Sequence, residues 1–504
     1  MTMQTIHSAR EDARPYVTPL VRTLPADLET PVSTYLKLMG AGPSFLLESV
    51  TGGEQVARYS FIGVNPRKSF VLQDGRLATH TGAGVTYATP GDPLAVLAEE
   101  LETLRCEPVP GLPRFNGGLV GYLGYEMMRY FEPSVPLRAH PQLPDAIFLL
   151  ADTVVAFDHA FGRLVLIAIP QAEEDSETAR AECEQRLDAL QARLAGPLPE
   201  QPASPAGPVE LPEMQANMSR EQFMQVVMEA KEHIAAGDIF QVVPSQRLSR
   251  QTTAAPFAIY RALRSLNPSP YMFYFDFDGL TGDEPLRLIG ASPEIHVRLE
   301  GRTAIIRPIA GTRRRGKSPA EDQALEQEML ADPKERAEHV MLVDLARNDL
   351  GRVCDYGSVH VPELMLVERY SHVMHIVSQV EGRLRKDYTA FDLMRATFPA
   401  GTVSGAPKIR AMQIIDRLEG QPRGPYAGAV GYFAADGSMD TCIAIRTLVM
   451  RGKQVSVQAG AGIVADSDPA SEYLETLNKA RALAVAVEIA EGRPDPAGSP
   501  NGKK

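Results

Sequence analysis

The sequence has 504 residues, 44% hydrophobic and 23% charged, the balance of an ordinary globular protein with room for about three domain equivalents. Lys plus Arg number 51 against 63 Asp plus Glu, a net charge of −12, which excludes the cationic footprint of a general nucleic-acid binder. No apolar run reaches the ~18–20 residues of a membrane span; the best, Ala146 to Phe157, is broken by Asp152.

The N-terminus lacks an apolar h-region, so no secretory signal is expected. Short strand-like runs follow at Ser44–Val50, Tyr59–Val64, Ser69–Leu72, Ile147–Phe157 and Arg163–Ile169. A hairpin-like break at Asp158–Gly162 predicts antiparallel pairing of the last two. Ala172–Ala195 is acidic and periodic and reads as a helix. Between Gly196 and Asn217 lie Pro197, Pro199, Pro202, Pro205, Pro208 and Pro212, a composition that resists helix and ladder alike and reads as a surface connection. Ser219 and Gln222 form a capping box that opens a helix, and Gly237 stands where a C′ residue belongs. A strand is expected at Ile239–Leu248, further strands within 290–310 and 428–464, and helices at 320–331, 334–349, 390–398, 405–418 and 469–490. Strands come in runs with helices at irregular intervals, which predicts an α+β fold with large antiparallel sheets. The chain thus divides into 1–195, a Pro-rich connection at 196–217, a unit at 218–490 and a tail at 491–504. Cys106, Cys183, Cys354 and Cys442 are far apart without a C-x-x-C pair, which argues against a disulfide framework or zinc ribbon and fits a reducing cytoplasm.

Two helix starts carry paired carboxylates. Asp332-Pro333 reads as an N-cap with proline at N1, followed by Glu335 and Glu338; Asp468-Pro469 is followed by Glu472 and Glu475. Each pair lies three residues apart and therefore on one face. Such a set could converge on Mg²⁺, which binds few carboxylates and keeps exchangeable waters. Glutamates in a first turn are equally favoured by the helix dipole, so spacing alone leaves both readings open. Gly460-Ala461-Gly462 follows a strand-like run, as does Ala310-Gly311-Thr312, and backbone amides in such turns can bind anions; tight-turn geometry is the bland alternative. Arg313–Arg315 could steer an anion or form a solvated loop, the reading preferred for Arg314 and Arg315. His372 and His375 lie in a strand-like segment, where His375 is either an acid/base or a packing residue. Arg446, among apolar strand residues, needs a carboxylate from protein or ligand. Gly-x-Ser-x-Gly, His-Glu-x-x-His and Gly-x-Cys-x-Gly patterns are all missing.

The stretches Glu338–Asp349, Phe398–Lys408 and Gln458–Gly462 carry a resemblance. From about residue 16 to 490 the sequence resembles the anthranilate synthase component I family of chorismate-binding enzymes. The resemblance implies that family's sandwich of large antiparallel sheets flanked by helices. It implies a catalytic 218–490 unit and a regulatory 1–195 region that contributes to a tryptophan site. The implied enzyme is a lyase of tryptophan biosynthesis that aminates chorismate with ammonia, through 2-amino-2-deoxyisochorismate, to anthranilate and pyruvate. Gln241 stands where water-activating relatives carry lysine, and Ala310 where many para-aminobenzoate synthases carry a nucleophilic lysine; neither can act as base or covalent amine. By the same resemblance Mg²⁺ would sit on Glu338 and Glu475, supported by Glu335 and Glu472. Glu294 would protonate the leaving hydroxyl, and His375 and Thr402 would assist pyruvate loss. Tyr426, Arg446, Gly311, Thr312, Gly460, Ala461, Gly462 and Lys479 would hold the substrate carboxylates. Glu48, Ser49, Pro270, Tyr271 and Met272 match an L-tryptophan feedback site. The absence of tryptophan from the sequence suits an enzyme made when that amino acid is scarce. No cysteine sits in a glutaminase context and the chain ends at Lys504. A separate glutamine amidotransferase subunit (component II) is therefore expected, in a hetero-oligomer, a heterotetramer, without nucleic-acid or membrane partners. The alternative is para-aminobenzoate (aminodeoxychorismate) synthase component I.

Overall fold

Asp152 shows how the chain builds two sheets from one apolar run. Ala146–Ala151 and Thr153–Asp158 are separate strands, and they belong to different sheets. The single strand expected over Ile147–Phe157 is therefore two, because the Asp152 carboxylate pairs with Arg186 and receives the Thr153 hydroxyl at the crossing. The structure is a computed structural model; it describes residues 16–50, 58–106, 109–171, 176–200, 213–370 and 373–492. Most of the Pro-rich connection (201–212), His372 and most of the tail (493–504) lie outside the described residues.

Among the described residues, one sheet has eleven strands and centres on Ser44–Glu48, Tyr271–Asp276 and Leu286–Ser292. A second, of twelve, centres on Met439–Ile443, Ala429–Ala434, Gly118–Leu123 and Ala146–Ala151. All their ladders are antiparallel, such as Leu47↔Phe273 and Val120↔Tyr432. In each sheet a block of strands from 1–195 thus meets a block of later strands at one seam, Ser44–Glu48 beside Tyr271–Asp276 in the first and Gly118–Leu123 beside Ala429–Ala434 in the second. Their facing sides pack Phe45, Phe61, Phe115, Phe273, Phe275 and Tyr432 into one aromatic layer. The outer faces are covered by helices. Pro31–Leu38, Ser176–Leu194, Pro256–Leu266 and Pro469–Ala490 cover the first sheet, and Pro93–Leu101, Pro333–Gly351 and Ala390–Thr397 cover the second. This is the expected α+β sandwich flanked by helices.

Helix starts form where their caps allow. Ser219 accepts the Gln222 amide and Gln222 returns the bond, opening Arg220–Ala235, and Gly237 takes φ +80° just past its end. Asp332 accepts the amides of Lys334 and Glu335, and Asp468 that of Ser471, each with proline at N1. Two expected elements are interrupted. The strand at Ile239–Leu248 splits into Gln241–Val242, paired with Gly405–Ala406, and Ser245–Gln251, because Pro244 between them has no amide to donate. The helix expected from 405 begins at Lys408, since Gly405 (φ +136°) and Ala406 are in that short ladder. All four cysteines are free and buried. No described helix is long and apolar enough to cross a membrane.

Candidate functional site

The helix starts at Asp332 and Asp468, the loop after Thr397, the end of strand Gln454–Gly460 and the paired strands Ile309–Arg314 and Val373–Arg383 enclose a cavity of about 940 Å³. Gln241, Glu294, His375 and Thr402 line it, as do Gly311, Thr312, Tyr426, Arg446, Gly460, Gly462 and Lys479. All four glutamates of the two helix starts line it as well.

The carboxylates crowd one another. Burial raises the Glu338 carboxyl above its ordinary range, and the charges of Glu335 and Glu475 raise it further while the Gln241 amide, 3.3 Å away, holds it down. Burial also raises Glu472, with Glu475 adding to it. Glu335 is paired with Arg313 at 2.9 Å and Glu475 with Lys479 at 2.8 Å, and no described group of three acids or imidazoles closes into a ready metal shell. The donor chemistry nonetheless fits a hard divalent cation: four oxygen ligands from two capped helix starts, with repulsion among them that a cation would relieve.

On the other wall Glu294 is buried, and burial pushes its carboxyl up to about 8. The Thr402 hydroxyl, which lies against it and has no hydrogen-bond partner at ordinary distance, opposes that rise, as does the Lys479 charge. Glu294 is therefore protonated at neutral pH, as a proton donor must be. His375 is pushed below the ordinary histidine range by burial. Its Nδ1 lies 3.0 Å from the Gly311 carbonyl oxygen, which can only accept; the proton therefore sits on Nδ1 and leaves Nε2 as a base.

The cavity also holds a cation with nothing to answer it. Arg446, in the left-handed region at φ 48°, is lowered by burial, and no described carboxylate pairs with it. The requirement for a carboxylate partner is thus unmet among the described residues. Lys479 donates to the Gly460 carbonyl at 3.0 Å. A Cβ on Gly460 would lie 2.7 Å from both the Pro244 carbonyl oxygen and the Tyr426 phenol, and one on Gly462 2.9 Å from the Gln241 amide nitrogen. Ala461 differs from its neighbours: its methyl is in an apolar cluster and its amide donates to Pro244 at 3.1 Å, so it shapes the turn from behind. Arg314 and Arg315 pair with Glu321 and Asp322. Sequence reasoning did not single out Lys334 or Asn478, which also line the cavity. Lys334 was visible as the residue beside Glu335, but its orientation depends on the cap.

A second cavity, of about 520 Å³, opens between the two sheets and is lined by Glu48, Ser49, Pro270, Tyr271 and Met272. Met272 pairs with Glu48 across the ladder. The Ser49 hydroxyl is buried there with no partner among the described residues. The Glu48 carboxylate turns away to Arg264, at 3.0 and 3.1 Å, and to the Tyr260 hydroxyl. The Tyr271 hydroxyl donates to Asp440 at 2.9 Å and accepts from Arg298. Pro270 lines both cavities.

Over residues 42–485 the sequence matches the chorismate binding enzyme family. It is 48% identical to anthranilate synthase component 1 of Pseudomonas putida, covering 94% of this chain and 96% of that protein. To the Thermus thermophilus protein of the same name it is 50% identical, covering 94% and 99%. Its fold matches the crystal structure of anthranilate synthase component I from Streptococcus pneumoniae with a TM-score of 0.72 at 36% identity, over 91% and 98% of the two chains. The menaquinone-specific isochorismate synthase from Escherichia coli shares the architecture at 21% identity, with a TM-score of 0.69 over 95% and 96%. With its matched segment spanning both sheets and the whole of the larger cavity, the chain belongs to the chorismate binding enzyme family.

Proposed function

We propose that the chain is the chorismate-converting subunit of an anthranilate synthase, forming anthranilate, pyruvate and water from chorismate and ammonia. The observation that carries this reading is the pairing, in one cavity, of a carboxyl held neutral at Glu294 with an unanswered cation at Arg446 and a four-glutamate rim. Kinship with proteins named anthranilate synthase component 1 supports the substrate and product.

The residues divide the work. Arg446, Lys479 and the Tyr426 phenol orient the substrate carboxylates, with glycines at 460 and 462 leaving room for them. Glu338 and Glu475, supported by Glu335 and Glu472, would hold Mg²⁺, which when bound supplies a charge that neutralises a ring carboxylate. Glu294 gives its proton to the C4 hydroxyl as the C–O bond breaks and ammonia bonds at C2. His375 Nε2 then takes the C2 proton, the C3–O bond breaks, and the enolpyruvyl group leaves to be protonated to pyruvate. Gln241 and Ala310 offer no base to activate water and no amine to attack, which leaves free ammonia as nucleophile. The ammonia would come from glutamine by way of a separate amidotransferase subunit, in a hetero-oligomer in the cytoplasm. The cavity between the sheets would take L-tryptophan as feedback inhibitor, its buried Ser49 hydroxyl, without a partner among the described residues, being available to a ligand.

The test is fluorescence of anthranilate from purified chain, chorismate, ammonium salt and Mg²⁺. Fluorescence that disappears with a chelator and returns with Mg²⁺ is expected. A product that yields para-aminobenzoate on addition of a lyase would move the chain to the aminodeoxychorismate reaction instead.

A further inference from the structure

Behind the larger cavity, and not lining it, lies a guanidinium that ties its walls together. Arg423 is buried. Its Nη1 donates to the Val403 carbonyl at 2.8 Å, its Nη2 to the Val243 carbonyl at 2.7 Å, and its Nε and Nη2 to both oxygens of Glu419 at 2.9 and 2.6 Å. Those two carbonyls belong to the residue after Thr402 and to the second residue after Gln241. Glu419 continues the connection, accepting the amide and hydroxyl of Ser245 at 2.7 and 2.8 Å. The backbone of Arg423 is held in turn: Glu126, also buried, accepts the amides of Arg423 and Gly424 at 2.7 and 2.9 Å. Tyr426 follows three residues later, its ring 5.4 Å from the guanidinium.

We infer that Arg423 is a positioning residue for the reaction: beside the short ladder of Gln241–Val242 with Gly405–Ala406, its fork holds the Val403 and Val243 carbonyls and so fixes Thr402 and Gln241 relative to one another. A planar five-donor fork can meet two carbonyls and a carboxylate in fixed directions at once, and an ammonium cannot. A displacement of about 1 Å at a site can cost on the order of 100-fold in rate. The position of Thr402 matters because its hydroxyl lies against Glu294 and has no hydrogen-bond partner at ordinary distance among the described residues. The inference rests on the proposed roles of Glu294 and Thr402.

Arg423→Lys keeps the charge and a bond to Glu419 while leaving one carbonyl unanswered. The ammonia-dependent reaction of this variant is expected to lose at least about ten-fold in kcat, with the chorismate KM within about two-fold, because Arg423 does not touch the substrate. Thr402→Val is expected to lower kcat on its own. In a Thr402→Val background, Arg423→Lys should cost less than about three-fold, since the effect it transmits is already gone. If Thr402→Val leaves kcat intact, the assignment of Thr402 fails. If Thr402→Val lowers kcat but the double variant shows full multiplication of the two losses, or Arg423→Lys raises KM instead, the positioning role fails. Should Arg423→Lys not fold, Glu419→Gln, which loosens the same fork, takes its place in the cycle with the same expected and contradicting results.

Discussion

At the scale of single residues, burial acts on two groups of opposite charge type in the larger cavity, Glu294 and Arg446. Glu294 is raised to about 8 by burial, so it carries its proton through neutral pH and loses it as the pH climbs further. Measured at constant free ammonia, kcat should therefore be level at neutral pH and fall through about pH 8 on the alkaline side. Glu294→Gln should lower kcat by roughly 100-fold or more, the usual worth of a placed general acid. The same shift acts on stability. A carboxyl whose folded pKa is raised contributes stability that is fully present below its unfolded value and is lost as pH rises through about 8. Glu294→Gln should accordingly unfold at a higher temperature than the parent chain at pH 9, while the two converge at pH 4; a parent chain more stable than the variant at pH 9 would refute the burial argument. Arg446 is the opposite case, a cation lowered by burial with no described partner. Arg446→Gln should raise the chorismate KM by about ten-fold or more, the worth of a charge-assisted hydrogen bond, without lowering the melting temperature. A parallel fall in melting temperature would show that the arginine serves the fold rather than the ligand.

At the scale of elements, the site depends on how helix Pro333–Gly351 is held against the loop that carries Thr402. Lys408 and Asp349 form a buried ion pair at 2.8 Å, and Lys408 also donates to the Thr397 carbonyl at 3.0 Å, just before the loop begins. Lys408→Met would leave Asp349 buried and unpaired. Urea unfolding should show a loss of about 3–5 kcal/mol, and an unchanged midpoint would contradict the pair's role. The helices and their caps were legible in the sequence because Asp332-Pro333, Asp468-Pro469 and Ser219–Gln222 are local signals, decided within four residues. The breaks at Pro244 and Asp152 were not, although both residues stood in plain view. Pro244 breaks the ladder locally, but what the two sides of each break pair with is set far along the chain, by Gly405–Ala406 for one and by Arg186 for the other. Arg423 was invisible for the same reason: its spacing from Val243 and Val403 has no meaning until the loops are folded.

At the scale of the whole molecule, two cavities lie on one continuous construction. Strand Tyr271–Asp276 pairs with Ser44–Glu48 on one side and Leu286–Ser292 on the other, and Pro270 at its head lines both cavities. Such pairings, joining residue 48 to 272 and 120 to 432, cannot be read from periodicity; the resemblance in the motifs carried the sandwich, and the order of strand-like and helical segments carried only its α+β class. Feedback would act between the sheets. Ser49→Phe should place a ring in the 520 Å³ cavity, weaken inhibition by L-tryptophan by at least about ten-fold, the worth of one charge-assisted hydrogen bond, and leave kcat within about two-fold. Loss of activity together with inhibition would place Ser49 in the catalytic machinery instead.

The most direct measurement supplies purified chain with chorismate, Mg²⁺ and ¹⁵N-ammonium, with and without L-tryptophan, and identifies the product by mass spectrometry. Labelled anthranilate and pyruvate in equal amounts, suppressed by tryptophan, are expected. Labelled product that retains the enolpyruvyl group, or an unlabelled hydroxylated product, would contradict the proposed reaction.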